Sequence, residues 1–162
     1  MLVKKPSAES PIYQPSNAEL KVFLGGSIEM GKAERWQDYV IERLSGWPDN
    51  LEVLNPRRDD WDSSWEQIPE KGNPFYDQVT WEMDAQENAD FMVYYFAPDT
   101  ISPITLLELG AYASSEDTIV CVNPGYERYG NVVMFCEYYD IPYVTDIEDV
   151  IVEINARYMK IL

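Results

Sequence analysis

From residue 20 onward the chain alternates between short, solid apolar runs and longer segments whose apolar positions recur every three or four residues. The solid runs are LKVFLGG, LEVLNP, FMVYYFAP, TIVCVNP and IPYVTD. Their lengths and their β-branched and aromatic content predict strands buried on both faces. Between them, SIEMGKAERWQDYVIERLSG predicts a helix capped by Ser27, with Trp36, Tyr39, Val40 and Leu44 on its apolar face and Gly46 as its stop. FYDQVTWEMDAQENAD predicts a second helix, with Phe75, Val79, Met83 and Gln86 at helical steps. TLLELGAYASSE, GNVVMFCEYYD and IEDVIVEINARYMKIL predict three more. Strands alternating with helices in this way predict an α/β fold: a doubly wound, parallel, five-stranded sheet with helices on both faces. Residues 1–19, rich in Pro, Ser and Lys, read as an irregular leader, and residues 20–162 as a single domain. The polar stretch RRDDWDSSWEQIPEKGNP reads as a long loop, of the kind that in small domains covers a site.

In such sheets ligands bind beyond the carboxyl ends of the strands. That rule selects GGSIE, NPRRDDW, APDTISP and NPGYERYGN. Gly25 and Gly26, followed by Ser27, would let a ligand approach the backbone at the head of the next helix, although the stretch is neither GxGxxG nor a phosphate-binding loop. Glu108 is a lone acid among Leu106, Leu107, Leu109, Gly110 and Ala111, near the carboxyl end of the FMVYYFAP strand. A desolvated carboxylate in that position suits nucleophilic or acid–base work; on a solvated helix face it would do nothing. Glu82, Asp84, Glu87 and Asp90 on the preceding helix offer a second acid. A nucleophilic carboxylate with a second carboxylic acid is what glycosyl transfer needs. Arg57 and Arg58 either pair with Asp59 and Asp60 or contact an anion or a base.

Composition narrows the field. The chain has no histidine, which removes His-based triads and His-ligated metal sites, and no metal site is expected. A net charge of −17 repels phosphate backbones, so nucleic-acid polymers are poor partners while a single nucleoside or nucleotide is not excluded. Cys121 and Cys136 form no CxxC pair and read as buried free thiols. The start of the chain carries no secretory pattern and no apolar run reaches membrane-spanning length, so a cytoplasmic protein without a membrane partner is expected. The five tryptophans and twelve tyrosines either fill the core and an oligomer interface or line a site that stacks planar rings.

The set FLGGSI, NPRR, QVTWE, AD…YYFAP, SPITLLELG and YGN resembles the nucleoside 2-deoxyribosyltransferase superfamily, in its small phage and bacterial branch, over about residues 20 to 150. The resemblance implies a flavodoxin-like fold and transfer of a 2-deoxyribosyl group between bases, or to water, without a cofactor. It places the nucleophile on Glu108 and the acid that handles the base on Glu82, a Glu where the family usually has Asp, with Asp84 the alternative. It implies that Asn131 is lent by a neighbouring subunit, so that a homo-oligomer shares its sites, and that Gly25, Gly26 and Ser27 border the nucleoside. The family acid that binds the sugar 5′-hydroxyl falls on Ser102, with Asp99 a few residues earlier. A serine there resembles relatives that take a 5′-phosphate and hydrolyse the bond, whereas the acidic charge argues for the hydroxyl. Two other functions compete: an inactive nucleotide-sensing module, and an interaction protein whose acidic surface binds a basic partner.

Overall fold

A computed structural model gives the chain's structure and describes every residue except 30, 31, 49 and 162. Its strands are β1 (Leu2–Lys4), β2 (Leu20–Gly26), β3 (Leu51–Leu54), β4 (Phe91–Phe96), β5 (Thr118–Val122) and β6 (Tyr143–Val144). Its helices are α1 (Trp36–Arg43), α2 (Pro74–Asn88), α3 (Pro103–Tyr112), α4 (Tyr129–Tyr138) and α5 (Ile147–Met159). The strands form one all-parallel sheet in the order β1-β3-β2-β4-β5-β6. The doubly wound α/β architecture is as the hydrophobic pattern predicts, with one strand more.

That sixth strand comes from the segment read as an irregular leader. Leu2, Val3 and Lys4 pair with Glu52, Val53 and Leu54 at the sheet edge. The reason is electrostatic as well as hydrogen-bonded. Glu52 is fully buried, and neither of its carboxylate oxygens finds a hydrogen bond among the described residues. The Lys4 ammonium, 3.2 Å away, supplies the compensating charge that a buried carboxylate requires. Nothing in a Lys/Pro-rich leader announces that pairing.

Alternation along each strand divides the core in two. Val22, Leu24, Val93 and Tyr95 pack under α1 and α5, with Trp36, Val40 and Ile154. Phe23, Met92, Tyr94 and Phe96 pack under α2, α3 and α4, with Trp81, Leu109 and Cys136. Both cysteines are free and buried. The four inner strands β3, β2, β4 and β5 are thus covered on both sides, as their solid apolar sequences require.

Two helix expectations need correction. Ser27 does not cap α1, which begins nine residues later, after Arg35. The serine is buried beyond β2 because its N–H donates to the Tyr95 carbonyl (2.9 Å) and its Oγ accepts from Ala97 N–H (2.9 Å), tertiary partners that outcompete a local cap. No α1 amino terminus therefore stands beside the glycine pair. On α2 the buried face is Gln78, Trp81, Ala85 and Gln86, while Met83 is exposed. The two glutamines lie inside because Pro56, Tyr94 and two glutamates offer them partners there. Asn73 caps this helix through its side chain, with Pro74 at the first position.

Replacing Lys4 with Met should strand the Glu52 charge and destabilise the fold by about 2–3 kcal/mol in urea denaturation. Adding Glu52→Gln to that variant should recover part of the loss. A Lys4→Met protein as stable as the parent would show that the pairing carries no weight.

Candidate active site

The chain leaves β2 toward β3 on one side and returns past β2 to β4 on the other, so the sheet order reverses between β2 and β4. The crevice beyond their carboxyl ends is the position at which doubly wound sheets bind ligands. Three residues that follow β2 and β4 close it with a knot of hydroxyls. Ser27 Oγ lies 3.0 Å from Thr100 Oγ1 and 2.6 Å from Ser102 Oγ, and the last two are 3.0 Å apart. Thr100 also donates to the Ala97 carbonyl at 2.9 Å. Ser102 has a left-handed backbone (φ 43°) and stands at the head of α3.

The glycine pair has a packing reason. A Cβ on Gly25 would come within 2.9 Å of the Phe23 and Tyr94 rings, and one on Gly26 would strike the Tyr95 backbone and the Trp36 ring. These two positions let β2 lie flush against β4 and α1.

Glu108 lies in the second turn of α3, and Glu82 lies in the middle of α2. Both are partly buried. Gln86 joins them: its Nε2 donates to Glu108 Oε1 at 3.1 Å and to the Glu82 carbonyl at 3.2 Å. Its Oε1 accepts from the Tyr94 hydroxyl at 2.7 Å, which fixes which way round the amide sits. One turn earlier on the same stripe, Gln78 Nε2 donates to Glu82 Oε1 at 2.6 Å and to the Pro56 carbonyl at 2.9 Å. Gln78, Glu82 and Gln86 thus form an amide–acid–amide column at four-residue spacing. Gln78 and Gln86 escaped the sequence reading as site residues. The signal was present: two amides flank an acid on one helical stripe.

Burial raises the Glu82 carboxyl above the ordinary glutamate value, against the opposing hydrogen bond from Gln78. Burial also raises Glu108; the charge on Glu82 adds to the effect and the Gln86 hydrogen bond opposes it. The pair therefore holds on to a proton where an exposed pair would be doubly ionised. One carboxylate and one carboxylic acid side by side can attack an electrophilic carbon and protonate a leaving group.

A cleft of about 380 Å³ opens beside Glu82, lined among others by Ile28, Pro56, Arg58, Trp61 and Gln78. Glu108 does not line it. Arg57 does, but its guanidinium is spent inside the protein: it donates to the Glu34 carbonyl at 2.7 Å and the Ala33 carbonyl at 3.0 Å. Arg58 pairs with Asp60 and lies over the Trp65 ring. Asp84 is partly buried on α2 two residues past Glu82, and Asp99 is exposed in the loop after β4 with φ 57°. Asn131 is exposed in the first turn of α4. Glu29, unremarked in the sequence, reaches the head of α3 and accepts from Ser102 N–H at 2.7 Å. Among the described residues no His, Cys, Asp or Glu side chains gather in threes as a metal cage would need. No described helix is long and apolar enough to cross a membrane.

The family model described as nucleoside 2-deoxyribosyltransferase like matches residues 19–126. This chain belongs to that family. A crystal structure of a conserved protein from Enterococcus faecalis V583 is similar in fold, with a TM-score of 0.55 and 12% sequence identity over 85% of this chain and 98% of that one. No curated protein matches the chain.

The raised carboxyls make a signed prediction. Between the ordinary glutamate value of 4.5 and its raised value, Glu108 keeps a proton in the fold that the unfolded chain has lost. The native state binds more protons there, so stability falls as pH rises through that window. Glu108→Gln removes this penalty. Thermal melts should show the variant gaining on the parent as pH rises above 4.5, with little difference below it. Parallel pH profiles for the two proteins would show that Glu108 is not desolvated.

Proposed function

We propose that this protein transfers a 2-deoxyribosyl group from a deoxynucleoside to another base or to water, through a covalent intermediate on Glu108. The observation that carries this reading is the desolvated Glu82–Glu108 pair, with Gln86 bonded to the Glu108 carboxylate and to the Glu82 backbone carbonyl. Family membership sets the reaction class.

In the first half-reaction, with the pair's one proton on Glu82, a Glu108 carboxylate oxygen bonds to the anomeric carbon as the carbon–nitrogen bond breaks. The electron pair of that bond goes to the base, whose nitrogen takes the proton held by Glu82. The developing oxocarbenium charge is stabilised by the ionised carboxylate beside it. In the second half-reaction a base nitrogen or a water attacks the anomeric carbon, gives its proton back to Glu82 and releases Glu108. One proton on the pair satisfies both roles, whereas two leave no nucleophile and none leaves no acid. The chain needs no cofactor for these steps. The base would lie in the cleft with Ile28 and Trp61 against its faces. Gln78 Oε1, buried beside Glu82 with no hydrogen-bond partner among the described residues, is an acceptor left for a base N–H.

Asn131 would act on the sugar and nucleophile of a second copy, which makes the working form a homo-oligomer. Supporting this, Ile104 and Leu107 on α3 and Met134 and Tyr138 on α4 are exposed large apolar side chains on the sheet face that carries Glu108.

Incubation with a panel of deoxynucleosides, with and without an acceptor base, reads donor and reaction type together. Glu108→Ala should lower kcat by about 10⁴-fold or more. Glu82→Gln should lower it by about 10²–10⁴-fold, least for bases that leave without protonation. No turnover of any deoxynucleoside or deoxynucleotide would overturn the proposal in favour of a nucleotide-sensing module or an acidic interaction protein, the first marked by thermal stabilisation with nucleotides. A Glu108→Ala protein of undiminished rate would overturn it as well.

A further inference from the structure

The cleft beside Glu82 runs against the charge of the whole molecule. Arg35, Arg57 and Arg58 all line it, in a chain with only 12 basic residues and a net charge of −17. Two of these arginines are answered in contact: Arg35 pairs with Asp38 and Asp59, and Arg58 with Asp60. Arg57 is not. It is 4% exposed, and among the described residues no carboxylate stands within ion-pair distance of it. Its terminal nitrogens are spent on the Glu34 and Ala33 carbonyls, but its Nε–H makes no hydrogen bond among the described residues, and its charge stays. The Glu34 carboxylate accepts from the Tyr95 hydroxyl instead.

The groups packed on Arg57 leave donors in excess. Its backbone N–H donates to Asn55 Oδ1 at 2.9 Å, and Gln37 Oε1 lies 3.5 Å from its guanidinium. Both amides are fully buried, and Gln37 Nε2 and Asn55 Nδ2 find no acceptor among the described residues. Burial and the Arg35 charge both work against the Arg57 charge, and Asp38 and Asp59 offset them only from beyond contact. A buried cation with surplus donors behind it and no acid in contact is half of a pair, and the missing half is an anion. Gln78 adds orientation. Its Nε2 is held by the Pro56 carbonyl and by Glu82, so its unpartnered Oε1 is fixed as an acceptor. The cleft therefore offers an acceptor for an N–H and a positive field for negative charge.

We propose that this cleft selects nucleosides of dioxopyrimidine bases, uracil or thymine in type, and that the uncompensated Arg57 charge stabilises the base as it departs as an anion. The inference rests on the glycosyl-transfer reading of Glu108. When the carbon–nitrogen bond breaks, its electron pair passes to the ring nitrogen and spreads onto the two carbonyl oxygens of such a base. The Arg57 field lowers the energy of that charge until the Glu82 proton neutralises it. The ring N–H between the two carbonyls donates to Gln78 Oε1. Amino bases fit less well. Adenine and cytosine leave most easily after taking a proton while still bonded to the sugar, and a cation lining the cleft opposes that positive charge. Cytosine also carries a lone pair where uracil carries its N–H, and the fixed Gln78 Oε1 gains no hydrogen bond from it.

The test uses the full chain, Arg57→Met, which removes the charge, and Arg57→Lys, which keeps it. The parent should use deoxyuridine and thymidine over deoxycytidine and deoxyadenosine by about tenfold or more in kcat/KM. Free bases probe the cleft without any chemistry. By calorimetry at neutral pH the parent should bind 5-nitrouracil, which is largely ionised there, at least about tenfold more tightly than neutral uracil. Arg57→Met should lose that preference and Arg57→Lys should keep most of it, a split that a merely structural arginine would not produce. A parent that binds the two free bases alike, or that prefers the amino-base nucleosides, overturns the inference even if neither variant folds. A preference for 5-nitrouracil that survives in Arg57→Met overturns it while leaving glycosyl transfer standing. Tight 5-nitrouracil binding that depends on the Arg57 charge, with no nucleoside turned over, supports the anion-taking cleft and removes the glycosyl-transfer reading.

Discussion

Two carboxyl groups taken out of water beside each other set the terms for this molecule. Glu82 and Glu108 come from different helices, and each is raised by burial toward the protonated form. A protein tolerates that cost only if other groups hold the pair. The holding groups are neutral amides. Gln78 and Gln86 donate to the acids without adding a cation that would ionise both. Tyr94, from the central strand β4, orients the Gln86 amide. The sheet, the α2 helix and the α3 helix therefore meet in one hydrogen-bonded chain, and its register follows from β4 being buried on both faces.

The opposite wall of the crevice uses different chemistry. Ser27, Thr100 and Ser102 bind the ends of β2 and β4 by hydroxyl contacts, and the left-handed Ser102 turns the backbone into α3. Glu29 then neutralises the donors at the head of that helix. The crevice thus carries acid at both ends, and the overall charge of −17 repels anions at longer range.

Much of the fold is legible in the sequence because burial on both faces leaves no ambiguity in LKVFLGG, FMVYYFAP or TIVCVNP. Three features are not, each for a tertiary reason. The β1 strand depends on the Lys4–Glu52 pairing, which joins residues 48 positions apart and leaves no local pattern. Ser27 carries the chemistry of a helix cap but spends it on Tyr95 and Ala97. The inner face of α2 is polar where periodicity searches for apolar residues, so Met83 looks internal and Gln78 does not. Within the site, Glu108 stands out from its apolar neighbours, and Glu82 follows from the need for a second acid. Glu29 has no such marker. It sits in a polar loop, and only the turn at φ 48° brings it to Ser102.

The central claim is that Glu108 attacks the sugar, and a trapped intermediate tests it most directly. The protein would be mixed with a deoxynucleoside whose sugar slows release, quenched in acid, digested and weighed by mass spectrometry. The peptide containing Glu108 should carry one deoxyribosyl mass, lost on adding an acceptor base and absent from Glu108→Gln. An adduct on Glu82, or base release with no adduct at any time point, would contradict it.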